Sequence, residues 1–132
     1  MSGLPAAEVR ILLVEDNEMN SDMLTRRLRR RGYQVSLATD GEAAIAMARE
    51  LRPHLILMDI SLPLIDGHEA IRRIRREEQT TPVPIIALTA HALTEDRDKC
   101  LAAGADDYDT KPVDLARLLE KIDALLAQRR SS

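Results

Sequence analysis

Five short apolar runs alternate with stretches of helical periodicity along the chain. The runs are "VRILLV" (9–14), "QVSLA" (34–38), "HLILM" (54–58), "PIIAL" (84–88) and a weaker "DDYD" (106–109). Several are continuously apolar rather than alternating, the pattern of parallel strands covered on both faces. Between them, Ala44, Met47, Ala48 and Leu51 fall at i, i+3, i+4 and i+7. Leu115, Leu118, Leu119, Ile122, Leu125 and Leu126 extend a similar stripe over three turns, so both helices have one buried face. A helix over about 18–31 has Met23, Leu24 and Leu28 as its apolar contacts. Thr39-Asp40-Gly41-Glu42 reads as a capping box, and Asp66, Thr94 and Asp114 are residue types that cap helix N-termini. Gly32, Gly104 and Pro53 stand where helices end, and "QTTPVP" (79–84) reads as a loop.

Regular strand–helix alternation gives one α/β domain: a five-stranded parallel sheet with five helices on its two faces, joined by right-handed crossovers. In such sheets ligands bind beyond the carboxyl ends of the strands. Those ends are therefore where chemistry is to be sought.

Composition narrows the field. At 132 residues the chain forms one hydrophobic core, with a domain expected over 8–127 and loose tails at 1–7 and 128–132. The absence of Phe and Trp, with only two Tyr, leaves Leu, Ile, Val, Ala and Met to build the core and argues against base-stacking nucleic-acid modules. A formal net charge of -3 gives no electrostatic case for nucleic acid or membrane. The arginine clusters "RRLRRRGY" (26–33) and "RRIRREE" (72–78) read as solvated helix faces. A single cysteine, Cys100, excludes an internal disulfide and fits a reducing compartment as a buried spectator. The start "MSGLPAAE" lacks the features of a signal peptide, and no apolar stretch is long enough to span a membrane. A cytoplasmic location is the expectation.

The strand ends carry polar residues that a core-filling strand does not need. The first ends in Glu15-Asp16, the third in Asp59, the fourth in Thr89, and Lys111-Pro112 follows the fifth. Singly, each has a plain explanation: an acid after a strand caps the next helix, a threonine turns, a lysine is solvated. Together they bring three carboxylates, a hydroxyl and an ammonium to one edge. Carboxylates packed so closely repel, so one stays protonated or a cation joins them. Hard oxygen ligands without His or Cys suit Mg²⁺ (or Mn²⁺) rather than zinc. With one divalent ion and Lys111, the charges of the three acids cancel, and the site could then share the added charge of a phosphoryl group. His54 and His68 are isolated and read as surface residues.

The motifs "LLVEDN", "LILMDISLPLIDG", "IIALTA", "GADDY" and "TKP" occur in an order and spacing that resemble the response-regulator receiver domain, over about residues 8–127. The resemblance implies the flavodoxin-like sheet order 2-1-3-4-5. It implies that Asp59 is the phospho-acceptor, attacking a phosphohistidine on a sensor histidine kinase or histidine phosphotransfer protein. Asp16 and Asp59 would bind Mg²⁺ through side chains and Ser61 through its backbone carbonyl, with Glu15 assisting. Lys111 and Thr89 would contact the phosphoryl oxygens, Tyr108 would be the switch aromatic that turns inward as Thr89 moves, and the Lys111–Pro112 bond would be cis. Glu15 replaces the frequent Asp, and Val113 stands where Phe is common. Ser61 and His91 match positions that tune phosphate lifetime.

The resemblance further implies a single-domain signalling switch, a monomer or weak homodimer, with a downstream output protein and no nucleic-acid or membrane partner. Such a protein catalyses only its own phosphorylation and slow autodephosphorylation. Two other classes compete. A Mg²⁺-dependent aspartyl-phosphate phosphohydrolase wants a second acid two residues after the nucleophile, where Ser61 stands, and a cap domain. A phosphate-independent adaptor of the same fold would have lost the acceptor, the acids or the lysine, and all are present.

Overall fold

A computed structural model describes residues 5–77, 80, 82–90 and 94–131. Its strands are β1 (Arg10–Val14), β2 (Gln34–Ala38), β3 (Leu55–Asp59), β4 (Ile85–Thr89) and β5 (Asp107–Thr110). They alternate with α1 (Glu18–Arg30), α2 (Gly41–Leu51), α3 (Gly67–Arg76), α4 (Thr94–Ala103) and α5 (Leu115–Ser131). All strand pairs are parallel and the order is β2-β1-β3-β4-β5. The expected doubly wound, flavodoxin-like fold is present. A short 3₁₀ turn, Ala6–Glu8, precedes β1.

The central strands are apolar on both sides because each face of the sheet is covered. Leu12, Val14, Ile56, Met58, Ile85 and Ala87 pack against Ala44 and Ala48 of α2, Ile71 and Ile74 of α3, and Cys100 of α4. The alternate residues Ile11, Leu13, Leu55, Leu57, Ile86 and Leu88 pack against Leu24 and Leu28 of α1 and Leu118 through Leu126 of α5. This period-two division explains the unbroken apolar runs. Burial of each such Leu or Ile contributes roughly 1.5–3 kcal/mol before the entropic cost of ordering it.

The helix stripes are narrower than the sequence suggests. Met23 is 37% exposed, so α1 is anchored by Leu24 and Leu28 alone, with Ser21 filling the remaining turn. Leu51 closes α2 at the end that leaves the sheet and is likewise 37% exposed. The cap of α2 is Asp40, whose side chain accepts from Ala43 N, so Thr39 is displaced one position from the capping box read in the sequence. Asp66 and Asp114 cap α3 and α5 by accepting from Glu69 N and Arg117 N. Thr94 is the first helical residue of α4 rather than its cap.

Of the two arginine clusters, the first has all its arginines exposed to solvent. In the second, Arg75 is an exception: it donates to the carbonyls of Gly104 and Val83 and to Asp106, tying α3 to the turn before β5. His54 is not a bare surface residue, since its Nδ1 accepts the Arg10 N–H at 2.9 Å and fixes the entry of β1. His68 is half-buried, its Nε2 3.8 Å from the Cys100 Sγ. Burial lowers its pKa below the ordinary 6.5. Burial also raises the Cys100 thiol, which keeps it in the unreactive protonated form. His91 lies outside the described residues. No described helix is long and apolar enough to cross a membrane.

Candidate functional site

β1 and β3 are neighbours, so their carboxyl ends deliver Glu15 and Asp59 side by side. Both continue the alternation of Ile11, Leu13, Leu55 and Leu57, which turns them toward the α1/α5 side of the sheet. Glu15 is 1% and Asp59 2% exposed, whereas Asp16 is open to solvent. One carboxylate oxygen from each of Glu15, Asp16 and Asp59 lies within 4.8 Å of the others. Asp16 is not spent on capping: Asn17 is the cap of α1, accepting from Asn20 N at 3.0 Å. The plain explanation of that acid is therefore removed.

Lys111 enters from the turn after β5. Its Nζ lies 3.0 Å from Glu15 Oε1 and 3.1 Å from Asp59 Oδ1. The Lys111–Pro112 peptide is cis, and Lys111 N donates to the Thr89 carbonyl at 2.8 Å, which ties this turn to the end of β4. Burial pulls the ammonium's pKa down, but contact with Glu15 and Asp59 outweighs it and leaves Lys111 above its ordinary value. Burial raises Glu15, and its contact with Asp59 raises it further, against Lys111 and the Asn17 N–H, which donates to Oε2 at 3.1 Å. One ammonium thus leaves the three acids short of positive charge. An oxygen-only set short of cations, partly open through Asp16, fits a hard divalent ion. Glu15, Asp16 and Asp59 would hold it from their side chains.

The chain turns hard after Asp59. Ser61 N donates to Asp59 Oδ1 at 3.0 Å, and Leu62 N and Gly67 N both return to the Ile60 carbonyl. A Cβ on Gly67 would stand 2.4 Å from the Asp59 carbonyl oxygen and 2.6 Å from Ile60 Cα, so only glycine lets α3 begin against the end of β3. Leu64, at the exposed crest of this loop, has a positive φ of 67°.

Thr89 is buried at the end of β4, one residue beyond Leu88, the partner of Asp59 in the ladder. Tyr108 pairs with Ala87, and by strand alternation Thr89 and Tyr108 share the α2–α4 face of the sheet. Of the described residues picked from the sequence for this site, all but Tyr108 lie at the strand ends; Tyr108 lies one step below, behind Thr89.

The sequence reading missed a second group. Asp109 is 2% exposed on β5 and receives Arg117 Nε of α5 at 2.7 Å. Lys121, one turn further along α5, donates to the Tyr108 carbonyl, lies 3.8 Å from Asp107 Oδ1 and stands 5.0 Å from the centre of the Tyr108 ring. Carboxylates inside a strand are poor strand formers, and "DDYD" was the signal that cations had to face them.

Fold and strand-end cluster together define a two-component receiver module. The response regulator receiver domain profile matches residues 11–123, and the chain belongs to that family. Protein PilH of Pseudomonas aeruginosa is 38% identical over 118 residues, which cover 89% of this chain and 98% of PilH. Among solved structures, the receiver domain of the sensor histidine kinase PA1611 from Pseudomonas aeruginosa is 46% identical with a TM-score of 0.84. The match covers 89% of this chain and 97% of that one, and that domain holds a magnesium ion in its active-site cleft. A chain from the Saccharomyces cerevisiae co-crystal of the histidine phosphotransfer protein Ypd1 with the receiver domain of its response regulator Ssk1 is 36% identical, with a TM-score of 0.85. Here the match covers 92% of this chain and 91% of that one. The chain spans only about half the length of several other curated relatives that it matches.

Proposed function

We propose that residues 8–127 act as a phosphoryl-accepting switch, with Asp59 as the acceptor and a histidine kinase or histidine phosphotransfer protein as the donor. The observation that carries this reading is the buried Asp59 carboxylate, held by Lys111 and the Ser61 N–H beside two further acids. In the reaction an Asp59 carboxylate oxygen forms a bond to phosphorus while the phosphorus–nitrogen bond of the donor histidine breaks. The electron pair returns to the imidazole. Asp59 is rigid because it ends a fully buried strand, and rigidity favours in-line attack.

Glu15, Asp16, Asp59 and the Ser61 carbonyl are the proposed holders of Mg²⁺ or Mn²⁺, which when bound shields the developing charge on the phosphoryl oxygens. Lys111, released from one carboxylate, balances a phosphoryl oxygen. Thr89 donates its hydroxyl to another, and its movement lets Tyr108 turn inward. The surface that changes is formed by α4, β5 and α5, which a downstream output protein reads. The two conformations must bind that partner unequally for the device to switch. The reading places the protein in the cytoplasm, as a monomer or weak homodimer, catalysing no turnover beyond its own phosphorylation and slow autodephosphorylation.

The test is transfer from phosphohistidine. A phosphotransfer protein carrying ³²P on histidine is mixed with the chain in Mg²⁺, and label is expected to move to the wild type but not to Asp59→Asn. Equal labelling of Asp59→Asn would refute the assignment.

A further inference from the structure

Along β5, Asp107 and Asp109 are two residues apart and face the same side. Along α5, Arg117 and Lys121 are four apart. A strand advances about 6.6 Å over two residues and a helix about 6 Å over four, so the pairs match in spacing. β5 and α5 run in opposite senses, and the structure pairs Asp109 with Arg117 and Asp107 with Lys121. The result is a two-rung ionic ladder that binds the last strand to the last helix at the edge of the sheet, where among the described strands β5 pairs with β4 alone.

The rungs differ in what they touch. Arg117 meets a buried carboxylate whose other oxygen, Oδ2, has no hydrogen-bond partner among the described residues. That rung fixes the register of α5 on β5. Lys121 touches Tyr108 twice, through the backbone carbonyl and across the ring. Its ammonium is also held by the Tyr108 carbonyl and by Asp107, so following a rotated ring would cost it those contacts. Directly across the ladder from Tyr108 stands Ala87, the smallest apolar side chain on that face of β4.

We propose that Lys121 is a positioning residue that brakes the Tyr108 switch: its cation–ring contact favours the resting ring position and sets how readily the unphosphorylated chain enters the active one. This rests on the reading of Thr89 and Tyr108 as the switch pair. Phosphorylation must overcome the contact, and a partner that draws Lys121 away from Tyr108 would release the ring without any phosphate.

The two tyrosines of the sequence make the test direct. The full chain is labelled with 3-fluorotyrosine, Tyr33→Phe assigns the two ¹⁹F resonances, and beryllofluoride with Mg²⁺ is titrated as a phosphoryl stand-in. In Lys121→Met the Tyr108 resonance is expected to start closer to its activated position. The beryllofluoride midpoint should fall roughly two- to fivefold, the range expected for losing a partly exposed cation–ring contact. Lys121→Arg keeps a cation over the ring and should stay near the wild type. A Lys121→Met chain that loses stability but keeps the wild-type resonance and midpoint overturns the brake and leaves Lys121 a structural strap. So does Lys121→Arg behaving like Lys121→Met. If the wild-type Tyr108 resonance does not respond to beryllofluoride while Asp59 still takes a phosphoryl group, the switch reading has failed and the brake falls with it.

Discussion

Replacing Lys111 with Met keeps the length of the side chain and removes the one ammonium that touches both Glu15 and Asp59. Glu15 is 1% exposed, so its carboxylate cannot turn to water for compensation. Without a metal, the least costly response is for Glu15 to take up a proton. From its ordinary value of 4.5, protonation at pH 7 costs about 1.4 kcal/mol for each of about 2.5 pH units, a ceiling of about 3.5 kcal/mol. Burial and Asp59 already raise Glu15 in the wild type, so the difference between variant and wild type falls below that ceiling. The sign follows from proton uptake. An acid whose pKa is raised on folding binds more protons in the folded state, so stability declines as pH rises from 4.5 toward the folded value. The variant's deficit should therefore grow from under about 0.7 kcal/mol at pH 5 to its full size at pH 7. Urea unfolding in EDTA at pH 5, 6 and 7 measures it. A deficit of equal size at pH 5 and pH 7 would refute the reasoning and assign the contribution of Lys111 to the packing of its stem.

Other predictions bear on the frame of the site. Gly67→Ala drives a methyl into the Asp59 carbonyl and should cost roughly 2–3 kcal/mol in urea unfolding, with Mg²⁺ affinity falling alongside because the strand end is displaced. Asp16→Asn removes an exposed acid that caps nothing, so its melting temperature in EDTA should match or exceed the wild type's. Mg²⁺ at a hundredfold excess over its Kd should stabilise the wild type by roughly 2–3 kcal/mol, and Asp16→Asn should lose most of that gain. His68 has its pKa lowered on folding, first by burial, so the unfolded chain binds its proton first. Stability should decline as pH falls below 6.5 until the folded value is passed. Differential scanning calorimetry of His68→Gln across pH 7 to 5 should show a shallower decline.

Much of the fold was legible because its signals are redundant. Three of the strands are apolar on both faces, and the helices between them repeat at 3.6, so alternation alone dictated a parallel sheet. The polar strand ends were legible for the same reason: Asp59 stops a run that is otherwise buried throughout, and a buried acid needs a reason. What escaped was set by distance in sequence. Arg117 and Lys121 look like ordinary solvated cations on α5 until β5 lies beside them, and nothing local in the weak strand "DDYD" shows that Asp109 is buried. Met23 and Leu51 match the helical period, but a helix packed on a narrow strip of sheet hides only two positions in each two turns, and the flanking ones stay open. The cap of α2 moved from Thr39 to Asp40 because both residue types fit the role and only the start of the helix decides between them.

The central claim is that Asp59 accepts a phosphoryl group through a site that needs a divalent cation. Intact-protein mass after incubation with acetyl phosphate, with Mg²⁺ or with EDTA, and with Asp59→Asn beside the wild type, tests it most directly. The account predicts a single base-labile phosphoryl adduct that requires both Mg²⁺ and Asp59. An adduct that persists in Asp59→Asn, or continuous release of phosphate at high turnover with no adduct, would contradict it.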